Sequence, residues 1–196
     1  MNRQTLCVLG STGSIGENTL DVVARNLKPW PLTVTVAVEG DNVRASPRRE
    51  VTATVEGHDS RPLITLAPED EARPWRYTYE FDWAVGSLGV RHDDEYAYGL
   101  PYAPDAAWRV LQGYGSRFSH TGLETWTIDF DMPEGSPVHA ARDGVVVRTR
   151  AHHDKACWER GCGRYANFIV ILHADGSTGE YYHLAKNGVA VAEGQQ

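Results

Sequence analysis

The sequence predicts a mainly β protein built from antiparallel sheets, and two observations support this. Apolar and polar residues alternate with a period of two in several short segments, as in strands that bury one face. Clear cases are residues 32–38, 51–55 and 75–83. Turn-forming residues, as at 133–137 and 173–177, separate successive strands, which is typical of hairpins.

The first segment, residues 1–26, differs in texture from the rest. A short apolar strand at 5–9 leads into a glycine-rich turn, Gly10-Ser11-Thr12-Gly13-Ser14-Ile15-Gly16. Leu20, Val23 and Ala24 then fit the apolar face of a helix. This pattern predicts a short strand–turn–helix unit at the amino terminus.

Two β-rich segments follow. Residues 28–100 contain the alternating strands and predict a small sandwich-like domain. A polar, Asp-rich stretch then precedes Pro101, which predicts a domain boundary there. Residues 101–196 contain four further strand patterns, at 126–130, 144–149, 167–173 and 179–184.

Charge and hydropathy exclude some classes of partner. The formal net charge is −7 and no cluster of Lys and Arg is present, which argues against a nucleic-acid backbone as the main partner. No apolar run reaches the roughly 20 residues of a membrane helix, and residues 1–25 lack the features of a signal peptide. We therefore expect no membrane span and no export signal in this sequence.

Three cysteines are present. Cys7 is expected to be a small buried hydrophobic residue. Cys157 and Cys162 are close enough in sequence to form a local disulfide, or they are two free thiols. A separate zinc site formed by these two cysteines with His152 and His153 is a less favoured alternative.

Three side chains in the last segment are candidates for chemistry: His120, Asp129 and His183. Asp129 lies within an apolar strand pattern, so its carboxylate must face solvent, be paired or bind a cation. Imidazole nitrogens and carboxylate oxygens are both ordinary zinc ligands. The nine-residue spacing of His120 and Asp129 does not by itself bring them together.

Several motifs in family order resemble one known domain. They are Ser119-His120-Thr121-Gly122, the stretch from Ile128 to Val146, the stretch from Tyr165 to Gly176, and Glu180-Tyr181-Tyr182-His183-Leu184. Together they resemble the lysostaphin-type, or LytM-like, zinc endopeptidase domain over roughly residues 107–196. The resemblance implies an antiparallel β fold and cleavage of peptide bonds in bacterial peptidoglycan. It also implies a location in the cell envelope or outside the cell.

Residue roles follow from the same resemblance. His120 and Asp129 match the first two zinc ligands of the family, and His183 matches the histidine that assists catalysis. The family's His-x-x-x-Asp spacing is stretched here by an insertion that contains Glu124 and Trp126. The later His-x-His motif, which supplies the third ligand, does not occur up to Gln196. We therefore expect weak or absent activity, with a non-catalytic cell-wall binding or regulatory module as an alternative.

The first segment resembles a different family. Residues 9–16 and Asn18-Thr19-Leu20-Asp21-Val22-Val23 resemble the NADPH-binding turn of 1-deoxy-D-xylulose 5-phosphate reductoisomerase. Under this second alternative, a reductoisomerase fragment of isoprenoid biosynthesis, Gly10, Gly13 and Gly16 would bind NADPH. One strand–turn–helix unit does not form a dinucleotide site, because the crevice needs neighbouring strands. The glycines are therefore interpreted as remnants of a motif.

Overall fold

The computed structural model describes residues 6–10, 19–155 and 162–196. The chain forms two compact units. The first contains Met1–Asp93 with Ala174–Thr178, and the second contains Asp94–His173 with Gly179–Gln196. Within the described ranges all regular elements are strands, apart from short 3-10 turns at Gly122–Glu124 and Cys162–Tyr165. The predicted mainly β class is confirmed.

The first unit contains two sheets. Its seven strands are β1 (Leu6–Gly10), β2 (Leu20–Asn26), β3 (Leu32–Asp41), β4 (Val43–Ser46), β5 (Glu50–Val55), β6 (Ser60–Pro68) and β7 (Arg76–Val85). One sheet has the order β1-β2-β6-β4 and the other β5-β3-β7, and every pair is antiparallel. The two-residue alternation at 32–38 and 51–55 therefore reflects real strands with one buried face.

Aliphatic side chains from both sheets form the core of this unit. The largest fully buried ones are Leu32, Ile64, Leu66, Val22, Val34, Val36, Val38, Val43 and Val55. Strand β5 contacts both β2 and β6 of the other sheet. The first unit is therefore a small antiparallel sandwich with a core drawn from both sheets.

The helix predicted over residues 20–24 is wrong, because this segment is strand β2. Val22, Ala24 and Asn26 are fully buried, while the residues between them are more exposed. That alternation has the period of a strand, and Val22 and Val23 are β-branched residues that favour one. β2 pairs with β1 on one side and β6 on the other, so tertiary pairing decides its structure.

The second unit contains the remaining five strands, except that Thr178, the first residue of β12, belongs to the first unit. β8 (Val110–Gln112) pairs with β9 (Asp129–Phe130) as a two-stranded ribbon. β10 (Val145–Arg150), β11 (Phe168–Leu172) and β12 (Thr178–Tyr182) form a three-stranded sheet in that order. Gly194 N–H donates to Val146 O at 2.8 Å, and Val146 N–H donates to Gln195 O at 2.9 Å, so residues 194–195 line the outer edge of β10.

No helix in the described ranges has the length and apolarity needed to cross a bilayer.

Candidate metal centre

The β8–β9 ribbon places a polar side chain on each of its strands. Gln112, the last residue of β8, is the register partner of Asp129, the first residue of β9. Arg109 extends the ribbon, because its carbonyl accepts a hydrogen bond from Asp131 N–H at 2.8 Å. Asp129 is partly exposed, with 38% of its side chain accessible. Its carboxylate is therefore held on a fixed strand but is reachable from solvent.

His120 lies in the loop between these two strands and is 3% exposed. Its Nδ1 is 2.9 Å from Gly113 O. A carbonyl oxygen only accepts, so Nδ1 carries a proton and donates it. In the neutral imidazole, Nε2 is then an unprotonated acceptor, which is the form that binds a metal.

The structure brings His120 and Asp129 together. His120 Nε2 is 3.2 Å from Asp129 Oδ2. In the neutral ring both atoms present lone pairs, so a cation between them is needed for a favourable contact. That cation is either a proton, which makes the imidazolium pair, or a metal ion.

The Nε2–Oδ2 separation suits two ligands of one zinc ion. Zinc binds imidazole nitrogen and carboxylate oxygen at about 2.0–2.2 Å in tetrahedral geometry, which places adjacent ligand atoms about 3.3 Å apart. Among the described residues, no group of three His, Cys, Asp or Glu side chains could hold a metal. The pair therefore fits two of the four positions around zinc.

A small polar network orients the pair. Gln112 Nε2 donates to Asp129 Oδ2 at 2.6 Å and to Ser119 Oγ at 3.1 Å. Ser116 Oγ donates to Gln112 Oε1 at 2.9 Å. Gln112 is absent from the residues selected from the sequence. Gln112 becomes recognisable only from its position opposite Asp129 in the β8–β9 pairing, which the sequence alone does not show.

The insertion between His120 and Asp129 forms a short turn on the surface. Gly122–Glu124 is the 3-10 turn, and Gly115 N–H donates to Thr125 O at 2.9 Å, which closes the loop. Trp126 is exposed and meets the Tyr114 ring edge-on at 5.6 Å. The nine-residue spacing is thus compatible with contact between His120 and Asp129.

His183 lies at the end of β12, one residue beyond Tyr182. Its side chain is exposed and its backbone is left-handed, with φ of 61°. Left-handed backbone is uncommon for residues other than glycine and often occurs at functional positions. The catalytic role of His183 stays a prediction, as do the ligand roles of His120 and Asp129.

The less favoured zinc site, formed by His152 and His153 with the two nearby cysteines, differs from the His120–Asp129 pair in the ligands that it offers. The rings of His152 and His153 are 4.1 Å apart. Desolvation, and then the neighbouring His152, lower the pKa of His153. Cys162 is disulfide-bonded and so offers no thiolate for a metal, and Cys157 lies outside the described residues.

Tyr182 provides a test of the surroundings of His183. Its hydroxyl donates to Glu180 Oε2 at 2.8 Å, and burial, followed by this bond, raises the pKa of Tyr182 to about 12. An unfolded tyrosine ionises near pH 10, so this contribution to stability is complete below about pH 10 and is lost towards pH 12.

Tyr182→Phe should therefore reduce the fall in urea midpoint between pH 10 and pH 12. The Tyr182 ring is half-exposed, so solvent screening limits the effect. We expect wild type and Tyr182→Phe to differ by about 1 kcal/mol or less in the free energy of unfolding lost over this pH range. Tyr114→Phe, at an exposed ring, is the matched control. Equal alkaline losses in wild type and Tyr182→Phe would contradict the expectation.

Comparison with known families supports the resemblance of the second unit. Residues 124–196 match the family described as Peptidase family M23. The matched range includes Asp129 and His183 and begins four residues after His120.

Curated relatives match over a similar length. The chain is 34% identical over 100 residues to "Peptidoglycan DD-endopeptidase ShyA" of Vibrio cholerae serotype O1, covering 48% of this chain and 20% of the relative. It is 32% identical over 91 residues to "DD-carboxypeptidase/endopeptidase Mpg" of Neisseria meningitidis serogroup B, covering 44% of this chain and 19% of the relative. The chain thus spans about a fifth of the length of these relatives. No solved structure is significantly similar to it.

A second family matches the amino-terminal part. Residues 6–55 match the family described as 1-deoxy-D-xylulose 5-phosphate reductoisomerase. In the described part of this range, β1 to β5 are strands with antiparallel partners, and Gly10 ends β1 opposite Val22. A dinucleotide crevice needs parallel strands followed by a helix, so this arrangement does not favour NADPH binding. Gly13 and Gly16 lie outside the described residues.

Residues 124–196 are therefore related in sequence to peptidase family M23 and its peptidoglycan endopeptidases, and residues 6–55 are similar to the reductoisomerase family, each over less than half of the chain.

Proposed function

We propose that residues 101–196 form a zinc-dependent peptidase-type domain that acts on peptidoglycan peptides. One observation carries the proposal: His120 Nε2 and Asp129 Oδ2 face each other at 3.2 Å, with Nδ1 of the histidine already engaged by Gly113 O. The match to peptidase family M23 and the names of the curated relatives give the substrate class. The same relatives support a location in the cell envelope or outside the cell.

The proposed chemistry is metal-assisted hydrolysis of a peptide bond. A zinc ion held by His120 and Asp129 would polarise the scissile carbonyl and activate a water. The chain's own residues orient the two proposed ligands. Gly113 O accepts from His120 Nδ1 and so fixes the tautomer of the ring, and Gln112 Nε2 donates to the Asp129 carboxylate and fixes its position. His183, exposed at the end of β12, exchanges a proton with the reacting groups as a neutral imidazole.

Two protein ligands bind zinc more weakly than the three of a typical catalytic site. We therefore propose that the 196-residue chain by itself has little or no activity at trace zinc. A module that binds the cell wall without cleaving it is the second candidate, and the absence of a third metal-binding side chain among the described residues favours it.

Incubation with purified, cross-linked peptidoglycan tests the proposal. We expect slow release of soluble muropeptides that increases with added zinc, stops with a chelator and is lost in His183→Ala. Asp154→Asn, which removes an exposed ion pair with Lys186, is a control that should keep the rate.

Release that is insensitive to the chelator would contradict the metal chemistry. Fast release at trace zinc would contradict the proposed weakness of the site. Sedimentation with peptidoglycan, without release at any zinc concentration, would favour the binding module.

A further inference from the structure

Asn167, the residue before β11, joins two segments of the second unit through its side chain. One is the segment after β10, which contains His153, and the other is the segment after β12, which contains Leu184. It is buried, with 4% exposure. Its Nδ2 donates to His153 O at 2.8 Å and to Leu184 O at 3.0 Å, and its Oδ1 accepts from His153 N–H at 3.0 Å. Its main-chain carbonyl also accepts from Leu184 N–H at 3.2 Å. Asn167 therefore fixes both main-chain polar groups of Leu184.

Leu184 is the residue directly after His183. On the other side of His183, Tyr182 ends β12, which neighbours β11 in the sheet. His183 is thus flanked by a strand residue and by a residue bonded twice to Asn167. Its left-handed backbone, with φ of 61°, is a costly conformation that persists only where the surroundings impose it.

We propose that Asn167 is a positioning residue for His183. By fixing Leu184, it holds the His183 backbone in the left-handed conformation and so sets the direction in which the imidazole leaves the end of β12. This inference rests on the function proposed above, in which His183 takes part in proton transfer.

The chemistry of the contacts explains why an amide is needed at this position. Two of the groups that face the Asn167 side chain are carbonyl oxygens, which need N–H donors, and the third is an N–H, which needs an acceptor. Asparagine supplies both kinds of group. Aspartate has the same shape but no N–H, so its carboxylate would face the carbonyls of His153 and Leu184 without a donor.

The same two segments share a contact that provides a matched control. Lys186 Nζ donates to Asp154 Oδ2 at 2.8 Å, and both side chains are largely exposed. Asp154→Asn weakens this exposed link and leaves the Asn167 bonds in place. Comparing the two variants therefore separates two effects: the loss of the bonds that fix Leu184, and the loss of a contact that only links the two segments.

The test compares Asn167→Asp with Asp154→Asn in the full chain. With peptidoglycan peptide and saturating zinc, we expect Asn167→Asp to lower kcat by about 10-fold to 100-fold, a loss of the size seen when a residue that orients a metal ligand is changed. KM and zinc affinity should stay within about twofold, because His120 and Asp129 are not touched. Asp154→Asn should leave all three quantities near the wild-type values.

NMR gives a readout that does not need activity. The Cα and Cβ shifts of His183 report positive φ, and its ring resonances report the surroundings of the imidazole. Asn167→Asp should move these signals and leave those of His120 unchanged. Asn167→Ser, which keeps one donor and one acceptor, is a milder variant that should move them less if Asn167→Asp does not fold.

Unchanged His183 resonances in the Asn167 variants, or an unchanged kcat, would overturn the inference. If the wild type cleaves nothing at any zinc concentration, the proposed function fails, while the His183 resonances still decide the positioning role. The two failures are therefore distinguishable.

Discussion

Asp129→Ala should lower the zinc affinity of the chain by on the order of 100-fold or more, and His120→Ala should do the same. A four-ligand structural zinc site is worth about 10–16 kcal/mol, so each ligand contributes a few kcal/mol. With His120 and Asp129 as the proposed ligands, losing either one would remove half of the bonds that the protein is proposed to make to zinc. Calorimetric titration with zinc, together with metal content by mass spectrometry, measures the effect.

Asp131→Ala is the matched control for this experiment. Asp131 lies two residues from Asp129 and is exposed, and it pairs with Arg109 at 2.9 Å on the surface. An exposed pair of this kind contributes little, so the control should bind zinc like the wild type. If Asp129→Ala and Asp131→Ala lost zinc affinity equally, the loss would reflect the removal of a negative charge, and Asp129 would not be a zinc ligand.

Asn26→Ala should destabilise the first unit by about 3 kcal/mol. Asn26 is fully buried at the end of β2, and its Nδ2 donates to the carbonyls of Trp30, Val55 and Glu56. Its Oδ1 accepts from Lys28 N–H at 2.9 Å. Truncation removes these four bonds; Glu56 O keeps its bond from Asp59 N–H, and each buried group that is left without a partner costs about 1–3 kcal/mol.

Urea unfolding followed by tryptophan fluorescence measures this loss. Arg25→Ala, at the exposed neighbouring position, should change stability by less than about 0.5 kcal/mol. Asn26→Asp keeps the acceptor for Lys28 but loses the donors, so it should remain strongly destabilising. A midpoint for Asn26→Ala within error of Arg25→Ala would show that these bonds do not hold the turn after β2.

The strands of the sandwich were predictable because alternation is a local signal. β3 and β5 follow directly from the valine and threonine pattern at 32–38 and 51–55. β2 was not predictable in the same way, because the preceding glycine-rich turn suggested a helix and the deciding contacts are with the distant β6. The short strands β4 and β8 contain too few residues for a period to be recognised.

The candidate site was predictable only in its residue types. His120 and Asp129 were selected through a family resemblance, while their contact depends on the pairing of β8 with β9. Gln112 and Asn167 were not singled out, because the bonds that tie Gln112 to Asp129 and Asn167 to Leu184 each span 17 residues in sequence. Polar side chains that satisfy distant backbone or carboxylate groups are found only when the fold is known.

X-ray absorption at the zinc edge tests the central claim most directly, because it reports the atoms bound to the metal. The wild-type chain with one equivalent of zinc should show imidazole scattering and only nitrogen or oxygen ligands near 2.0–2.2 Å, and the imidazole scattering should weaken in His120→Ala. Sulfur at about 2.3 Å, or imidazole scattering unchanged in His120→Ala, would place the zinc elsewhere and contradict the account.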